Sequence, residues 1–491
     1  MSLSKKMIAA GTVLAALVLM LFFSNHPVVV EEQSEYDDGE TVYLWYTDDS
    51  LSDYLSSMAV KFNEERGIRV LPILNSGLEF LEEINDASLR TQTGPDLFIA
   101  SNDIMEKAYL SGLATEITMA DTVVNLDHFP EAALQAVTYR DKILGYPFYF
   151  ETSALLYNMT YLEEMTEAAI QAEIDLAAAE ESQAAAEEGE VEEDAGQADL
   201  TPAPEEMSAL VKERLPEMIP DNFTELLEFA NSYDAPENVE AVFKWDVEDI
   251  FYNYFFVGNY INVGGPCGDN TETINIYNEN AIRALQTYQS LSDFFAIVAD
   301  EVDYETVIQE FMDGKLVMTT ATTDVIARLE QAGEEGTFSY EYGIAQIPDL
   351  SEEMASKSLS VTGTVYVNGY SDQREVANEF AAYLVHDHAG ELYQKSGKLS
   401  ANKSVSYDNP NLYMFMREYE HSAPMPKMMA TSNLWVQMEI IFSRIWNGGE
   451  VSAQLKSLSE QIMTQVTGEP YEEAYIQPPK IVKDDLEYST D

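Results

Sequence analysis

Carboxylates dominate the chemistry open to this chain: 87 aspartates and glutamates stand against 26 lysines and arginines in 491 residues. Paired carboxylates can act as general acid and base in glycoside hydrolysis, or as fixed acceptors for hydroxyl hydrogens. At this density acids fall beside one another by chance, so spacing alone marks no pair as catalytic. Neither the phosphate-binding GxxxxGK[ST] loop nor the HExxH zinc motif occurs, and there is no GxSxG nucleophile elbow. His386 and His388 would share a face only on a strand. The surrounding AAYLVHDHAGELYQ reads as helix, which splays them apart and argues against a metal site. The single cysteine, Cys267, excludes an intramolecular disulfide and a cysteine-based zinc site. No cofactor is expected.

The formal net charge of −61 argues against nucleic acid as a partner, because phosphate binding needs basic side chains. It argues equally against adsorption onto anionic lipid, and a solubilising surface is its plainest meaning. With 46% hydrophobic residues, including 29 Tyr and 21 Phe, most of the chain has the apolar content to fold.

The elements that must position these acids alternate between two periods. TVYLWY reads as a strand, and Leu51, Leu55, Met58, Ala59 and Phe62 mark one face of a helix ended by Gly67. IRVLPIL is a second strand. A helical stretch through Leu78, Leu81, Ile84 and Leu89 stops at Gly94-Pro95, and DLFIA follows as a third strand. This βαβαβ order predicts parallel strands with helices packed on the sheet. Ligands of such sheets bind beyond the carboxyl ends of the strands, here Thr47 to Ser50 and Ser101 to Asp103. Further on, NFTELLEFANSY predicts a helix with Phe223, Leu226, Leu227 and Ala230 inward. AVFKW, KLVMTTA, YGIAQIP and TVYVNG read as β segments, and NEFAAYLVHD as helix.

The ends and one internal stretch differ in composition. Lys5 and Lys6 precede an uncharged apolar run from Met7 to Phe23, the pattern of an export signal. With no clear cleavage site and no cysteine for lipidation, residues 1–23 read as an uncleaved membrane anchor, with cleavage and secretion as the alternative. Residues 24–40 are an acidic spacer. Residues 162–220 form an Ala/Glu-rich insertion whose flanks favour helix and whose centre lacks the apolar residues to order itself. Residues 464–491 are turn-rich and charged, and a poorly packed tail is expected there.

Three segments taken together carry a resemblance: GPDLFIASNDIMEKAYLSGLATEI, FPEAALQAVTYRDKILGYPFYFETSALLYN and GKLVMTTAT. In order and spacing this set resembles the maltose-binding-protein-like branch of the bacterial extracellular solute-binding proteins, over most of residues 41–463 outside the insertion. The resemblance implies an α/β, two-lobed periplasmic-binding-protein-like fold, with a hinge of crossing strands and a ligand cleft between the lobes. One lobe is expected to comprise 41–147 and 345–400, the other 150–343 and 406–463. The implied function is capture of a small carbohydrate outside the cytoplasm and delivery to the permease subunits of an ABC importer, with no enzymatic activity. A ligand sensor or scaffold of the same fold, acting in signalling, is the alternative.

The resemblance also implies site residues. Asp103, just beyond the third strand, and Glu151, on a strand crossing between lobes, fall where family members carry ligand-binding acids; a carboxylate placed like Asp103 equally serves as a helix cap. Asp49 falls on a position like a family sugar-hydroxyl acceptor, with Ser50 in place of a neighbouring lysine. Trp435, in SNLWVQMEIIFSRIW, aligns with a tryptophan beneath the sugar ring, where an indole stacks on an apolar sugar face; a core tryptophan is the other reading. Trp45, inside its strand, reads as core. Glu248 is carried over by a weaker match, and Glu439 stands where maltose binders have a cleft arginine. Two of their aromatic subsites fall on Ala100 and Asp324. These departures argue against maltose itself, and the converging acids point to a neutral or amino-bearing saccharide.

Overall fold

The structure is a computed structural model that describes residues 41–90, 94–188 and 202–479. The anchor, the spacer and the centre of the insertion lie outside the described residues.

The expected βαβαβ start is present. Strand β1 (Thr41–Tyr46) leads through a single 3-10 turn into helix α1 (Ser52–Arg66), followed by β2 (Arg69–Leu74), α2 (Phe80–Arg90) and β3 (Leu97–Ser101). Gly67 ends α1 at φ +74°, a left-handed conformation that glycine adopts without strain, and its N–H satisfies the Asn63 carbonyl. Leu55, Met58 and Phe62 are buried, as the helical period requires. In α2 only the first turns are inward: Leu81 and Ile84 are buried, whereas Leu78 and Leu89 are exposed. β1 and β3 pair in parallel, Leu44 opposite Leu97, which sets their carboxyl ends side by side.

The rest of the main sheet is built from β4 (Tyr146–Asn158), β5 (Ala241–Phe243), β6 (Leu316–Thr322), β7 (Tyr342–Ala345), β8 (Leu359–Val367), β9 (Leu399–Ser400) and β10 (Ala423–Pro424). The strand order is β2-β1-β3-β8-β4-β6-β5, with β7 and β9 also paired to β4 and β10 to β8. The thirteen-residue β4 joins two parts of the molecule. Its first half, through Thr152, runs antiparallel to β8, and its second, from Ser153, antiparallel to β6. Its side chains serve two hydrophobic clusters: Tyr146, Phe148, Phe150, Ala154 and Leu156 enter the first, and Leu155 and Tyr157, on the opposite face of the second half, enter another. The first cluster packs around β1 and β3 and also draws side chains from Val307 to Phe338 and from Leu412 to Tyr419. The second is rich in aromatic rings, with Trp245 fully buried against Phe243, Phe295 and Trp446. Two apolar cores joined by a shared strand make this a two-lobed α/β architecture.

Of the remaining helices, six enter the description: α3 (Met159–Glu188), α4 (Pro204–Arg214), α5 (Glu279–Phe294), α6 (Asn411–His421), α7 (Leu434–Trp446) and α8 (Val451–Thr467). The flanks of the insertion are helical. α3 and α4 meet through Ile170, Met207 and Val211, and the Arg214 guanidinium makes two bonds, 2.6 and 2.7 Å, to Glu173. In the NFTELLEF helix Phe223, Leu226 and Leu227 are buried as expected, while Ala230 is only partly so and Phe229 joins the inward face.

The carboxyl-terminal segment, expected as a poorly packed tail, buries no side chain between 464 and 479, the part described, yet is tied down by hydrogen bonds. α8 extends to Thr467, and the chain beyond it straps across α5 and α8. The Ile476 N–H donates to the Tyr277 hydroxyl at 2.6 Å, the Ile476 carbonyl accepts from Ser452 Oγ at 2.6 Å, and Gln286 Nε2 donates to the Pro479 carbonyl at 3.2 Å. These bonds satisfy backbone groups in a stretch that has no periodicity to announce them.

Candidate functional site

Polar chemistry gathers where the strands of the first core end. Beyond β1, Asp48 caps the 3-10 turn Asp49–Leu51 and accepts from the Ser50 N–H at 3.0 Å and the Ser50 hydroxyl at 2.7 Å. Asp49 itself is exposed, its carboxylate accepting from Ser52 Oγ at 3.1 Å. Beyond β3, Asn102 is fully buried: its Nδ2 donates to the Met425 carbonyl at 2.8 Å, and its Oδ1 accepts the Thr362 N–H at 2.9 Å. Asp103 is half-buried and accepts from the Ser101 hydroxyl. Capping thus falls to the neighbour Asp48, while Asp49 and Asp103 take their hydrogen bonds from hydroxyl groups.

Glu151 lies on β4 opposite Val361 of β8. Its carboxylate accepts from Lys398 Nζ at 2.7 Å, and the same ammonium lies 3.0 Å from Asp48. Lys398 reaches both because it immediately precedes β9, whose Leu399 pairs with Phe150 of β4. The ammonium also sits 5.2 Å from the centre of the Tyr149 ring. That ring covers Gly363 of β8, where a Cβ would come within 2.3 Å of it, so only glycine leaves the space. Burial works to raise the Asp48 carboxyl, but Ser50 and the Lys398 ammonium outweigh it and hold the group below the usual carboxylate range. Burial likewise disfavours charge on Lys398, yet Glu151 and Asp48 raise its affinity for the proton above the ordinary lysine value.

A second group belongs to the other core. Glu248 and Glu439 line one cavity of about 560 Å³ together with Asp246, Asp249, Asp303 and Arg444. Glu248 accepts from Ser443 Oγ at 2.5 Å. Asp246 accepts the N–H groups of Glu248 and Asp249 at 3.1 and 3.0 Å, and Asp249 caps the turn that follows through the Phe251 N–H at 2.7 Å. Burial raises the carboxyl groups of Asp246, Asp249 and Glu439 above their usual range, and for Glu439 the charges of Asp249 and Asp246 add to it. Trp435 stands one turn before Glu439 on α7, half-buried, its ring 6.0 Å from that of Tyr254 and tilted by 53°. Val436 and Ile440 on the same helix are exposed. Nearby in the fold, Asp324 accepts from the Thr322 hydroxyl, whose oxygen lies 2.8 Å from the Tyr304 hydroxyl; the Tyr304 ring stacks on Tyr252 at 4.7 Å and 13°.

The six residues taken from the sequence therefore fall into two sets. Asp49 and Asp103 lie just beyond β1 and β3 and Glu151 midway along β4, on the first core; Glu248 and Glu439 share one cavity on the second, with Trp435 one turn before Glu439 on α7. Lys398, Tyr149 and the Tyr252–Tyr304 stack escaped sequence reasoning, and Asp48 is covered only as part of the stretch Thr47 to Ser50. Lys398 is 247 residues from Glu151 along the chain, a separation no local pattern bridges. His386 and His388 have separate partners, Asp387 at 2.8 Å and Glu391 at 2.9 Å.

Comparison with known proteins bears on the family and the fold. The family model described as bacterial extracellular solute-binding protein matches residues 57–412. The maltodextrin-binding protein MdxE of Bacillus subtilis is 21% identical over 412 residues, which cover 82% of this chain and 84% of that protein. The maltotriose-binding protein of Pyrococcus abyssi is 20% identical over 404 residues, covering 79% and 74%. Among solved structures, the extracellular solute-binding protein from Staphylococcus aureus in complex with maltose superposes with a TM-score of 0.68 at 18% identity, covering 88% of this chain and 99% of that one. With about three quarters of its length matched by the family model, the chain belongs to the bacterial extracellular solute-binding proteins.

Proposed function

We propose that this protein captures a small neutral or amino-bearing saccharide in a cleft between its lobes, outside the cytoplasm, and delivers it to the permease subunits of an ABC importer. The observation that supports this reading is that each of the two cores sharing strand β4 carries one candidate surface. One has carboxylates just beyond β1 and β3 and midway along β4; the other is a helix carrying Trp435 and Glu439. Carboxylates accept hydrogen bonds from sugar hydroxyls, and a half-buried indole offers its apolar face to a pyranose ring. A ligand that touches both surfaces only in the closed form favours closure, and the transporter reads the closed surface. The sugars in the relatives' names, maltodextrin and maltotriose, support a saccharide as the ligand class. Binding without turnover is the role assigned here, with no catalytic residue.

Calorimetry of the protein with maltotriose, a panel of monosaccharides and their matched uronic acids tests the proposal. A neutral sugar is expected to bind more tightly than its uronic acid, because Asp49, Asp103 and Glu439 add repulsion to any second anion. Trp435→Ala is expected to weaken the neutral sugar by roughly tenfold, about 1.4 kcal/mol, through lost stacking. Tighter binding of the uronic acid would overturn the charge argument. Unchanged affinity of the tryptophan variant, with a lowered melting temperature, would make Trp435 a core residue.

The apolar run Met7–Phe23 serves in this reading as an uncleaved anchor. The mature protein is expected to sediment with membranes and to retain that segment. A mature terminus downstream of Phe23, read by terminal sequencing, would replace the anchor with a cleaved signal.

A further inference from the structure

Lys398 bridges two carboxylates at the candidate site. Its Nζ bonds Glu151 at 2.7 Å and Asp48 at 3.0 Å, so the bonded oxygens of these two acids lie within about 6 Å of one another. Those acids come from different elements, Glu151 from β4 and Asp48 from the turn after β1, and the lysine from the segment entering β9. The charged and titratable groups that face the ammonium are Glu151, Asp48 and Tyr149. Exposure grades outward from the cation: its side chain is 21% exposed, that of Asp48 32% and that of Glu151 39%. The ammonium thus belongs to the most buried side chain of the three, and both carboxylate side chains keep contact with solvent. Each ionised carboxylate has about four acceptor directions. The lysine fills one on Glu151; on Asp48 it takes Oδ2 while the Ser50 N–H and hydroxyl both bond Oδ1, so Glu151 keeps most of the open acceptor positions.

We propose that Lys398 is the positioning residue of this site: it holds Glu151 and Asp48 side by side, so that their remaining acceptor positions, mostly on Glu151, take hydrogen bonds from the hydroxyl groups of a neutral ligand. The inference rests on the carbohydrate reading given above, and it adds Asp48 and Lys398 to the residues that recognise the sugar. Without the ammonium, two carboxylates at that spacing repel, and the pair relieves the repulsion by turning apart or by taking up a proton. Either response destroys an acceptor array that a rigid hydroxyl pattern must match. The cation also sets the charge of the pocket, because with Lys398 in place the trio carries one net negative charge instead of two. A ligand ammonium group is then met by Asp49 and Asp103 rather than by the trio's own carboxylates.

The test uses the full-length protein and three variants, Lys398→Met, Lys398→Gln and Lys398→Arg, with maltotriose and the monosaccharide panel as calorimetric probes between pH 5 and pH 8. The neutral variants are expected to lose tenfold or more in affinity at pH 7 and to gain a pH dependence between 5 and 7 that the wild type lacks. Lys398→Arg, which keeps the charge, is expected to stay within about threefold of the wild type. In the ligand-free protein, a carbon-13 NMR titration of the Asp48 carboxyl is expected to move upward by at least one unit in the neutral variants and to stay in place in the arginine variant. Wild-type affinity and a flat pH profile in Lys398→Met and Lys398→Gln would overturn the inference while leaving the saccharide reading intact. Equal losses in all three variants, with an unmoved Asp48 titration, would overturn it too, since they report only a packing role. Failure of the wild type to bind any saccharide in the panel would overturn both the site assignment and this inference.

Discussion

Replacing Asn102 with alanine is expected to lower the stability of the protein by about 3 kcal/mol, the largest loss from any single polar side chain near the site. Asn102 has no exposed surface, and both ends of its amide are used: one bonds the Met425 carbonyl at 2.8 Å and the other the Thr362 N–H at 2.9 Å. It thus ties the end of β3 to β8 and to the segment that leads into α7. Alanine leaves a buried donor and a buried acceptor unpaired, each worth roughly 1–3 kcal/mol, and opens a small void. Asn102→Asp keeps the acceptor for Thr362 but sets a carboxylate against the Met425 carbonyl, so it is expected to be no better. Urea denaturation should show a lower midpoint at unchanged slope. A loss below about 1 kcal/mol would mean that water or a backbone shift replaces both bonds.

How far the sequence reaches can be judged from the same neighbourhood. β1, α1, β2 and β3 were readable because each is local: a two-residue period gives the strands, a 3.6-residue period gives α1, and Gly67 stops it. The carboxyl ends of β1 and β3 followed from parallel pairing, and with them the places of Asp49 and Asp103. Composition also marked the insertion, whose helical flanks pack as α3 and α4. What escaped depends on distant partners. Lys398 sits in an unremarkable GKLSAN stretch, and only the pairing of β9 with β4 carries it to Glu151. The strap beyond α8 has no apolar period, since its order comes from backbone bonds to Tyr277 and Ser452. Trp435 shows the same boundary in energetic terms. Its helical position was legible, but its half-burial against Tyr254 depends on a residue 181 positions earlier that no heptad or strand period links to it.

Stability is expected to fall by about 3 kcal/mol between pH 4.5 and pH 7 through one side chain, Glu418, in addition to any general repulsion among the surface acids. Glu418 on α6 is buried against the start of β8, where Ser358 Oγ donates to it at 2.7 Å and the Ile347 N–H approaches its other oxygen at 3.4 Å. Burial pushes its carboxyl up to about 7, against the opposing pull of Ser358, Ile347 and the nearby His421; Asp349 adds to the rise. An unfolded chain releases the same proton near 4.5. Between these values the folded state holds a proton that the unfolded state has lost, so stability declines as pH rises and levels off above about 7. The shift of roughly 2.5 units corresponds to about 3 kcal/mol, an order-of-magnitude figure. Glu418→Gln, which cannot ionise, is expected to match the wild type near pH 4.5 and to exceed it by that amount at pH 8, measured by urea denaturation across the range. Since every other acid is shared by the two proteins, their difference isolates this group, and identical pH slopes would refute the assignment. The location gives the effect a functional side. Ser358 is 3.2 Å from the Thr152 hydroxyl of β4, Ser422 bonds Ser360 at 2.7 Å, and Tyr419 both bonds Thr362 at 2.7 Å and stacks on Phe150 at 4.1 Å. Ionising Glu418 therefore loosens α6 against β8 and β4, the two strands that pair over the stretch carrying Glu151.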